Sequence, residues 1–540
     1  MRTHALETSK VVAIAGLLLA GLLMSAGFLE IARGDRVFPD MLHEFNNIQD
    51  WLRGTAPLYA STEATNLWAG SPALKFPPFW VVTVLPLIAT LPIRTAVEVY
   101  AAMSVIGLLA GLILLLRHLG VSWLSPRFAS VMLTLALLGP LYESFFGTTN
   151  ELAILGLIAA VFVLSERKMA LLGGMVLAVA ILFKIYPVFF AFYFLLRRDF
   201  RLLASTACWL VVFSLAPMLV LGYQEVLRYH FQILPQLGAP AGDAQNASAE
   251  FLLMNVWRFD WFHHGVTPML QWPMQQELFY FNRVLALAGR IVILSVFVVS
   301  ALLLQRQNLM RRSLDRLQLF GMWIAAVLVC IPVAWVNYQL LLMIPFSGLI
   351  LWLGRGRIAP LRWAAMALMA ISFLSMTTPV NYVLVTRLAD PSMRLRYILA
   401  TSIGGELETE LHARVVHRSW QLAAIDLDEE ELGGASRREI RRALRDRGVH
   451  GVDRVGPERQ EARLRVAALR EAYAKNPTPA QDRALRHEEA RLRRSSLTTR
   501  QVFGLVTLRS LVGLLAFVGA ALTCWAPAVE TRAGTERARA

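Results

Sequence analysis

Apolar runs that approach membrane length recur along this chain, and they constrain its fold more than any other feature. A helix needs roughly 20 mostly apolar residues to cross a bilayer. The runs lie at 11–29, 96–116, 128–141, 150–165, 169–183, 186–197, 203–222, 284–304, 317–334, 338–353, 361–378 and 502–524. Hydrophobic residues make up 56% of the 540 positions. The sequence therefore predicts an all-α polytopic membrane protein.

Basic residues between the runs predict the orientation, because cytoplasmic loops are enriched in Arg and Lys. The net charge of +15 then reflects these loops, and no segment resembles a nucleic-acid-binding module. The basic groups lie at 2–10, 117–127, 167–168, 197–201, 306–316 and 355–362. The segments expected to face outward are 30–78, 142–149, 184–186, 223–283 and 335–338. This alternation requires an odd number of crossings in 76–117, so we predict that 79–91 is a short helix dipping in from the outer side.

The first outward segment contains an amphipathic pattern between Phe38 and Tyr59. A helix here would end near Gly54 and would most simply lie flat on the bilayer with its polar side toward water. The expected polar side carries Asp40, His43, Glu44 and Asn47. The expected apolar side carries Leu42, Phe45, Ile48 and Leu52.

Asp40 is the candidate general base of this segment. Transfer of a sugar to a hydroxyl requires a group that takes up the hydroxyl proton, and an outer carboxylate could do so. The alternative is structural: Asp is a strong N-cap residue, and Asp40 precedes a helix that would begin at Met41.

Lys184 and Arg258 are outward cations that run against the charge pattern of the loops. An anionic lipid head group would explain either side chain. The alternatives are a lysine that snorkels to the interface and a surface arginine. Asp260, His263 and His264 lie close together without metal-ligand spacing, so we expect neither a metal nor another cofactor.

The N-terminal part of the chain resembles glycosyltransferase family 87, the polyprenyl-phosphate-mannose-dependent mannosyltransferases of the GT-C superfamily. Short motifs carry the resemblance, in the family's order, over residues 1 to about 385. They are Asp40, Trp51-Leu52-Arg53-Gly54, Pro57-Leu58-Tyr59, Phe76-Pro77-Pro78, Gly147-Thr148-Thr149-Asn150, Lys184-Ile185-Tyr186-Pro187, Asn246-Ala247-Ser248 with Arg258, and Pro332-Val333-Ala334-Trp335.

The resemblance implies a GT-C-type helix bundle and an inverting hexosyltransferase of cell-envelope biosynthesis. Its expected location is the bacterial inner membrane, with the active site on the periplasmic face. A polyprenyl-phosphate sugar would be the donor and a lipid or glycan hydroxyl the acceptor. The resemblance implies that Asp40 acts as the base. It also implies that Lys184 and Arg258 bind the donor phosphate. The supporting or substrate-contacting residues would be His43, Glu44, Tyr59, Asn150, Trp335 and Tyr338.

Two positions depart from the family pattern. Thr148 replaces a glutamine, and the residues after Trp335 lack a histidine that the family often has there. A glycolipid transporter or flippase and a catalytically inactive scaffold are the rival interpretations. The spans are nearly free of charge and show no internal repeat, whereas transporters typically carry polar groups near mid-membrane.

The composition divides the chain into three parts. Residues 1–386 form the predicted transferase domain, and 387–500 form a charged helical tail rich in Arg and Glu. Residues 501–540 contain a possible final span. The tail could bind a protein partner. Its basic character favours the cytoplasm, but long domains translocate regardless of charge, so its side stays open.

Overall fold

The computed structural model describes residues 2–33, 39–59, 74–146, 150–237, 248, 276–306, 312–331, 334, 336–353, 360–376 and 511–525. These residues form helices and turns without a β-strand, which confirms the all-α prediction. The helices are α1 (Arg2–Arg33), α2 (Pro39–Leu52), α3 (Pro78–Thr90), α4 (Ile93–His118), α5 (Pro126–Leu137), α6 (Gly139–Phe146), α7 (Asn150–Glu166), α8 (Ala170–Phe183), α9 (Ala191–Leu196), α10 (Phe200–Leu215), α11 (Met218–Leu221), α12 (Tyr223–Arg228), α13 (Leu234–Leu237), α14 (Gln276–Arg306), α15 (Ser313–Cys330), α16 (Met343–Leu353), α17 (Pro360–Met376) and α18 (Leu511–Trp525).

Five segments of the described helices are long and apolar enough to cross a membrane. They are Glu7–Ser25, Ile93–His118, Phe200–Leu221, Leu287–Arg306 and Ser313–Cys330. Large apolar side chains on these segments are exposed, among them Leu18, Ile106 and Val292. Such a surface suits contact with lipid, and the protein is therefore a multi-pass membrane protein.

Proline interrupts two of the predicted runs. The run 128–141 divides into α5 and α6 at Leu138, just before Pro140. The run 203–222 divides into α10 and α11 next to Pro217. Proline lacks a backbone donor and clashes with the preceding turn of a helix. Each of these two runs therefore forms two helices instead of one. The predicted short helix at 79–91 is α3, and Pro86 lies inside it.

Helices α4 and α7 approach each other closely at glycine residues. A Cβ atom added to Gly111 would lie 2.2 Å from the carbonyl oxygen of Gly156. One added to Gly156 would lie 2.1 Å from the carbonyl oxygen of Gly107. Gly107 and Gly111 have the GxxxG spacing that lets helix backbones approach closely in membranes. This contact holds α7 against α4.

Candidate active site

The first residue of α7, Asn150, is fully buried in an aromatic cluster. The indole nitrogen of Trp80 donates hydrogen bonds to Tyr100 Oη at 2.8 Å and to Asn150 Oδ1 at 3.2 Å. The Tyr100 hydroxyl donates to the same Asn150 oxygen. The amide nitrogen of Asn150 has no hydrogen-bond partner among the described residues. A buried amide with only its oxygen satisfied could donate to a ligand.

The next residue, Glu151, forms an ion pair with Lys184. Its carboxylate is fully buried, whereas the Lys184 side chain is 18% exposed. Lys184 ends α8, and its ammonium lies 4.2 Å from the ring centroid of Tyr338. Burial lowers the pKa of Lys184, but the opposing effects of Glu151 and Tyr338 are larger and leave that pKa raised. Lys184 is therefore a fixed cation with a partner, and neither sequence alternative included that partner.

Tyr186 completes this cluster from the turn that follows Lys184. Its ring stacks on Tyr338 with the centroids 4.7 Å apart and the planes at 22°. Its hydroxyl is buried and has no hydrogen-bond partner in the described part of the chain. The motif from Lys184 to Pro187 thus places a cation and a buried hydroxyl beside each other.

Helix α2 packs against α3 and α4. We predicted that Glu44 lies on the side of the helix that faces water. This prediction was wrong, because Glu44 is only 6% exposed. Glu44 follows Met41 by three residues and precedes Ile48 by four, so it shares their buried stripe. Phe45 lies with its ring 6.0 Å from the rings of both Trp80 and Tyr100. The helix that carries Asp40 is thereby joined to the cluster around Asn150.

Asp40 is the second residue of α2, because the helix begins at Pro39. The helix thus begins two residues earlier than Met41. It lies one turn before Glu44, and residues four apart on a helix are neighbours. The side chains of Asp40 and His43 lie outside the described part of the structure, as do Arg258 and Trp335 in full.

Hydrogen bonds of Tyr59 join the segment after α2 to the rest of the bundle. Its hydroxyl donates to Phe76 O at 2.9 Å, and its backbone nitrogen donates to Glu225 Oε2 at 3.2 Å. Arg228 donates to Tyr59 O at 3.2 Å and to Glu225 at 2.9 Å. Burial, with smaller effects of Tyr229, Glu225 and Glu44, raises the pKa of Tyr59 well above its usual value. Its described contacts are thus with protein, and a structural role explains them.

The other end of α7 carries a second buried carboxylate, Glu166. It accepts hydrogen bonds from Arg197 at 2.7 Å, from Arg316 Nε at 2.8 and 2.9 Å and from Ser313 at 3.1 Å. Helix α7 has 17 residues and is therefore about 25 Å long. We call the end with Glu151 and Lys184 the site end and the end with Glu166 the basic end. Arginines from two separate loops that we predicted to be cytoplasmic meet at the basic end.

Sequence reasoning missed Glu151, Tyr100 and Tyr186. A signal for Glu151 was present, because a carboxylate at the start of an apolar run needs a partner in a membrane protein. The aromatic residues gave none, since such residues are common in membrane spans and interfaces. Among the described residues, no group of three or more His, Cys, Asp or Glu side chains could hold a metal ion.

A comparison with protein families matches residues 75–330 to glycosyltransferase family 87. This range contains Trp80, Asn150, Glu151, Lys184 and Arg258, whereas Asp40 and Tyr59 precede it and Tyr338 follows it. A comparison with curated proteins finds no match. The family match agrees with the order of motifs in the sequence and with the buried polar residues at one end of the bundle. Residues 75–330 of this multi-pass membrane protein are similar to glycosyltransferase family 87, and that match supports a glycosyltransferase.

Proposed function

We propose that the protein transfers a hexose, mannose in the simplest case, from a polyprenyl-phosphate donor to a hydroxyl of a glycolipid or glycan. The observation that carries this proposal is the position of Lys184, held by Glu151 and Tyr338 at the site end. A lipid-linked phosphate places an anion near a membrane surface, where a fixed ammonium can bind it. The match of residues 75–330 to glycosyltransferase family 87 supports the transfer of a sugar.

In this mechanism Asp40 takes up the proton of the acceptor hydroxyl. The acceptor oxygen then forms a bond to the anomeric carbon of the donor from the face opposite the phosphate. The bond between that carbon and the phosphate oxygen breaks, and its electron pair stays on the phosphate. Configuration is inverted, and polyprenyl phosphate leaves with one more negative charge than the donor phosphate carried. No metal or other cofactor takes part.

Lys184 and Arg258 bind the phosphate and stabilise the charge that develops on it. Positioned cations act most strongly where charge appears in the transition state. The lysine ammonium has three donors, so Lys184 can keep its bond to Glu151 and donate to a phosphate oxygen as well. The ion pair prevents Lys184 from carrying an uncompensated buried charge when no donor is bound.

Asn150 and Tyr186 bind the sugar or the phosphate oxygens. Each has a buried polar group without a hydrogen-bond partner in the described residues. Tyr338 supports the Lys184 ammonium from its ring face. His43 and Trp335 complete the substrate contacts, and Glu44 stabilises the segment of α2 next to Asp40.

The site end faces the periplasm in this proposal, and the protein resides in the bacterial inner membrane. Arg197 and Arg316 lie at the opposite end with Glu166, as the positive-inside rule expects of a cytoplasmic end. Residues 1–386 carry the transferase activity within a GT-C-type bundle. The tail 387–500 binds a protein partner.

The donor class is tested with purified protein in liposomes. Radiolabelled polyprenyl-phosphate mannose, polyprenyl-phosphate glucose and nucleotide-linked mannose are supplied separately with a crude glycolipid acceptor extract. We expect label in the glycolipid from a lipid-phosphate donor, most from the mannose form, together with released polyprenyl phosphate. Transfer from the nucleotide sugar alone would exclude the proposed donor class. Movement of the donor across the bilayer without cleavage would identify a flippase.

A further inference from the structure

The last described helix, α18, runs antiparallel to α15. Near its start, a Cβ atom added to Gly513 would lie 3.0 Å from Cγ2 of Val329 at the end of α15. Near its end, Thr523 Oγ1 donates to Gln318 Oε1 at 3.2 Å, close to the start of α15. The two contacts are ten residues apart on α18 and eleven apart on α15, about 15 Å along each axis. The direction of α18 relative to α15 follows from this pair of contacts.

Contacts with α17 show independently that α18 also runs antiparallel to that helix. Ser372 Oγ, near the end of α17, donates to Val512 O at 2.9 Å. A Cβ atom added to Gly519 would lie 2.4 Å from Met369 Cγ and 3.3 Å from Ala365 O. Contacts earlier in α17 thus pair with residues later in α18. The end of α17 and the start of α18 are neighbours.

Helix α15 connects this pair of helices to the two ends of the bundle. Its first turn holds Ser313 and Arg316, which bind Glu166 at the basic end. Its last turn is followed within eight residues by Tyr338, which lies over Lys184 at the site end. Val329, and with it the start of α18, is therefore on the side of the site end. The end of α18 is on the side of the basic end.

The charged segment 377–510 connects the end of α17 to the start of α18. Met376, which ends α17, and Leu511, which begins α18, both lie toward the site end of the bundle. Between 377 and 501 the sequence has no apolar run approaching the roughly 20 residues of a span, so the segment has no means of crossing the membrane in between. The apolar run that starts at 502 is the one that continues into α18.

We propose that residues 377–501 lie on the same side of the membrane as the Glu151–Lys184 pair, and that residues 526–540 lie on the opposite side. The basic composition of the tail alone favoured the cytoplasm. The positive-inside rule applies to short loops, however, and long domains escape it. Arg532, Arg537 and Arg539 follow within 15 residues of the end of α18, where basic residues favour the cytoplasmic side. The tail thus shares a compartment with the substrate-binding end, and its partner must be found there.

Labelling of single cysteines in intact cells tests this placement. Cys208, Cys330 and Cys524 are replaced by alanine in the full chain, and one cysteine is then introduced at a time. Ser436→Cys and Ser495→Cys report on the tail, and Thr535→Cys reports on the segment after α18. Ala56→Cys, after α2, marks the site end, and Ser122→Cys, after α4, marks the basic end. A membrane-impermeant maleimide is applied before and after permeabilisation, and labelling is normalised to the denatured protein.

We expect both tail cysteines to label as Ala56→Cys does and Thr535→Cys to label as Ser122→Cys does. Tail cysteines that follow Ser122→Cys would overturn the proposal. If a tail cysteine is protected in both conditions, protease sensitivity of the tail in intact cells, compared with inverted vesicles, decides the side. Cleavage only in inverted vesicles, with Ala56→Cys labelled in intact cells, would equally overturn it. The labelling result does not depend on which sugar is transferred. The proposed placement of the tail can therefore be wrong while the proposed function stands.

Discussion

Glu151 and Lys184 lie 33 residues apart in the sequence and form an ion pair where α7 begins and α8 ends. The carboxylate is fully buried and the ammonium is held between it and the ring of Tyr338. The start of α7, the end of α8 and the segment that carries Tyr338 thus meet at one end of the bundle.

The ion pair predicts different results for single and double substitutions. Glu151→Gln or Lys184→Met alone leaves one buried charge unpaired, and we expect a loss of about 3 kcal/mol in unfolding free energy. The double variant Glu151→Gln/Lys184→Met removes both charges and should recover most of that stability. Thermal unfolding in detergent and sugar transfer in liposomes are measured on all four proteins.

The double variant separates a structural pair from a phosphate-binding lysine. If Lys184 stabilises the leaving phosphate, transfer stays at least 10-fold below wild type although the fold has recovered. Wild-type transfer by the stable double variant would exclude Lys184 from the reaction.

The glycine contact between α4 and α7 predicts a position-specific effect. Gly111→Ala forces a Cβ atom into the backbone of Gly156, and overpacking of this kind costs about 1–3 kcal/mol. Gly107→Ala is the matched control, because a Cβ atom there meets nothing within 4 Å and alanine favours the helix. Thermal unfolding should show destabilisation for Gly111→Ala only. Equal unfolding temperatures for the two variants would contradict the described crossing.

The sequence predicted the helices better than the contacts between them. Hydrophobic runs and prolines locate most helix bounds, and the predicted segment 79–91 is close to α3 (Pro78–Thr90). Glu44 was assigned to water because the periodicity of one helix does not reveal which neighbours cover it. Lys184 was recognised as an exceptional cation, but its partner lies on another helix. Such pairings depend on tertiary packing, which a local pattern does not encode.

We expect the free energy of unfolding to fall at acidic pH because of Glu166. Burial raises its pKa, but hydrogen bonds and charges from Arg316 and Arg197 outweigh that effect, and the pKa is lowered from 4.5. The folded carboxylate therefore binds protons less readily than the unfolded one. Its contribution to stability is present above about pH 4.5 and is lost as pH falls through the folded pKa.

Unfolding temperatures of wild type and Glu166→Gln between about pH 7 and pH 3 measure this contribution. The gap between the two proteins should narrow as the pH falls below about 4.5. Glu98→Gln serves as the control, since Glu98 pairs with Arg94 on an exposed surface. A gap for Glu166→Gln that does not change with pH would show that its charge contributes nothing.

Asp40 is the residue on which the proposed chemistry most depends. It lies in the first turn of α2, which packs on the aromatic cluster around Asn150 through Phe45. Asp50 is the matched control, because it lies in the last turn of the same helix. A general base typically contributes about 10²–10⁴-fold to the rate.

The most direct test is the rate of mannose transfer from radiolabelled polyprenyl-phosphate mannose by wild type, Asp40→Asn and Asp50→Asn, each reconstituted at equal protein content. We predict that Asp40→Asn lowers the rate by about 10²-fold or more, with unchanged expression, while Asp50→Asn stays close to wild type. A wild-type rate for Asp40→Asn would contradict the assignment of Asp40 as the base.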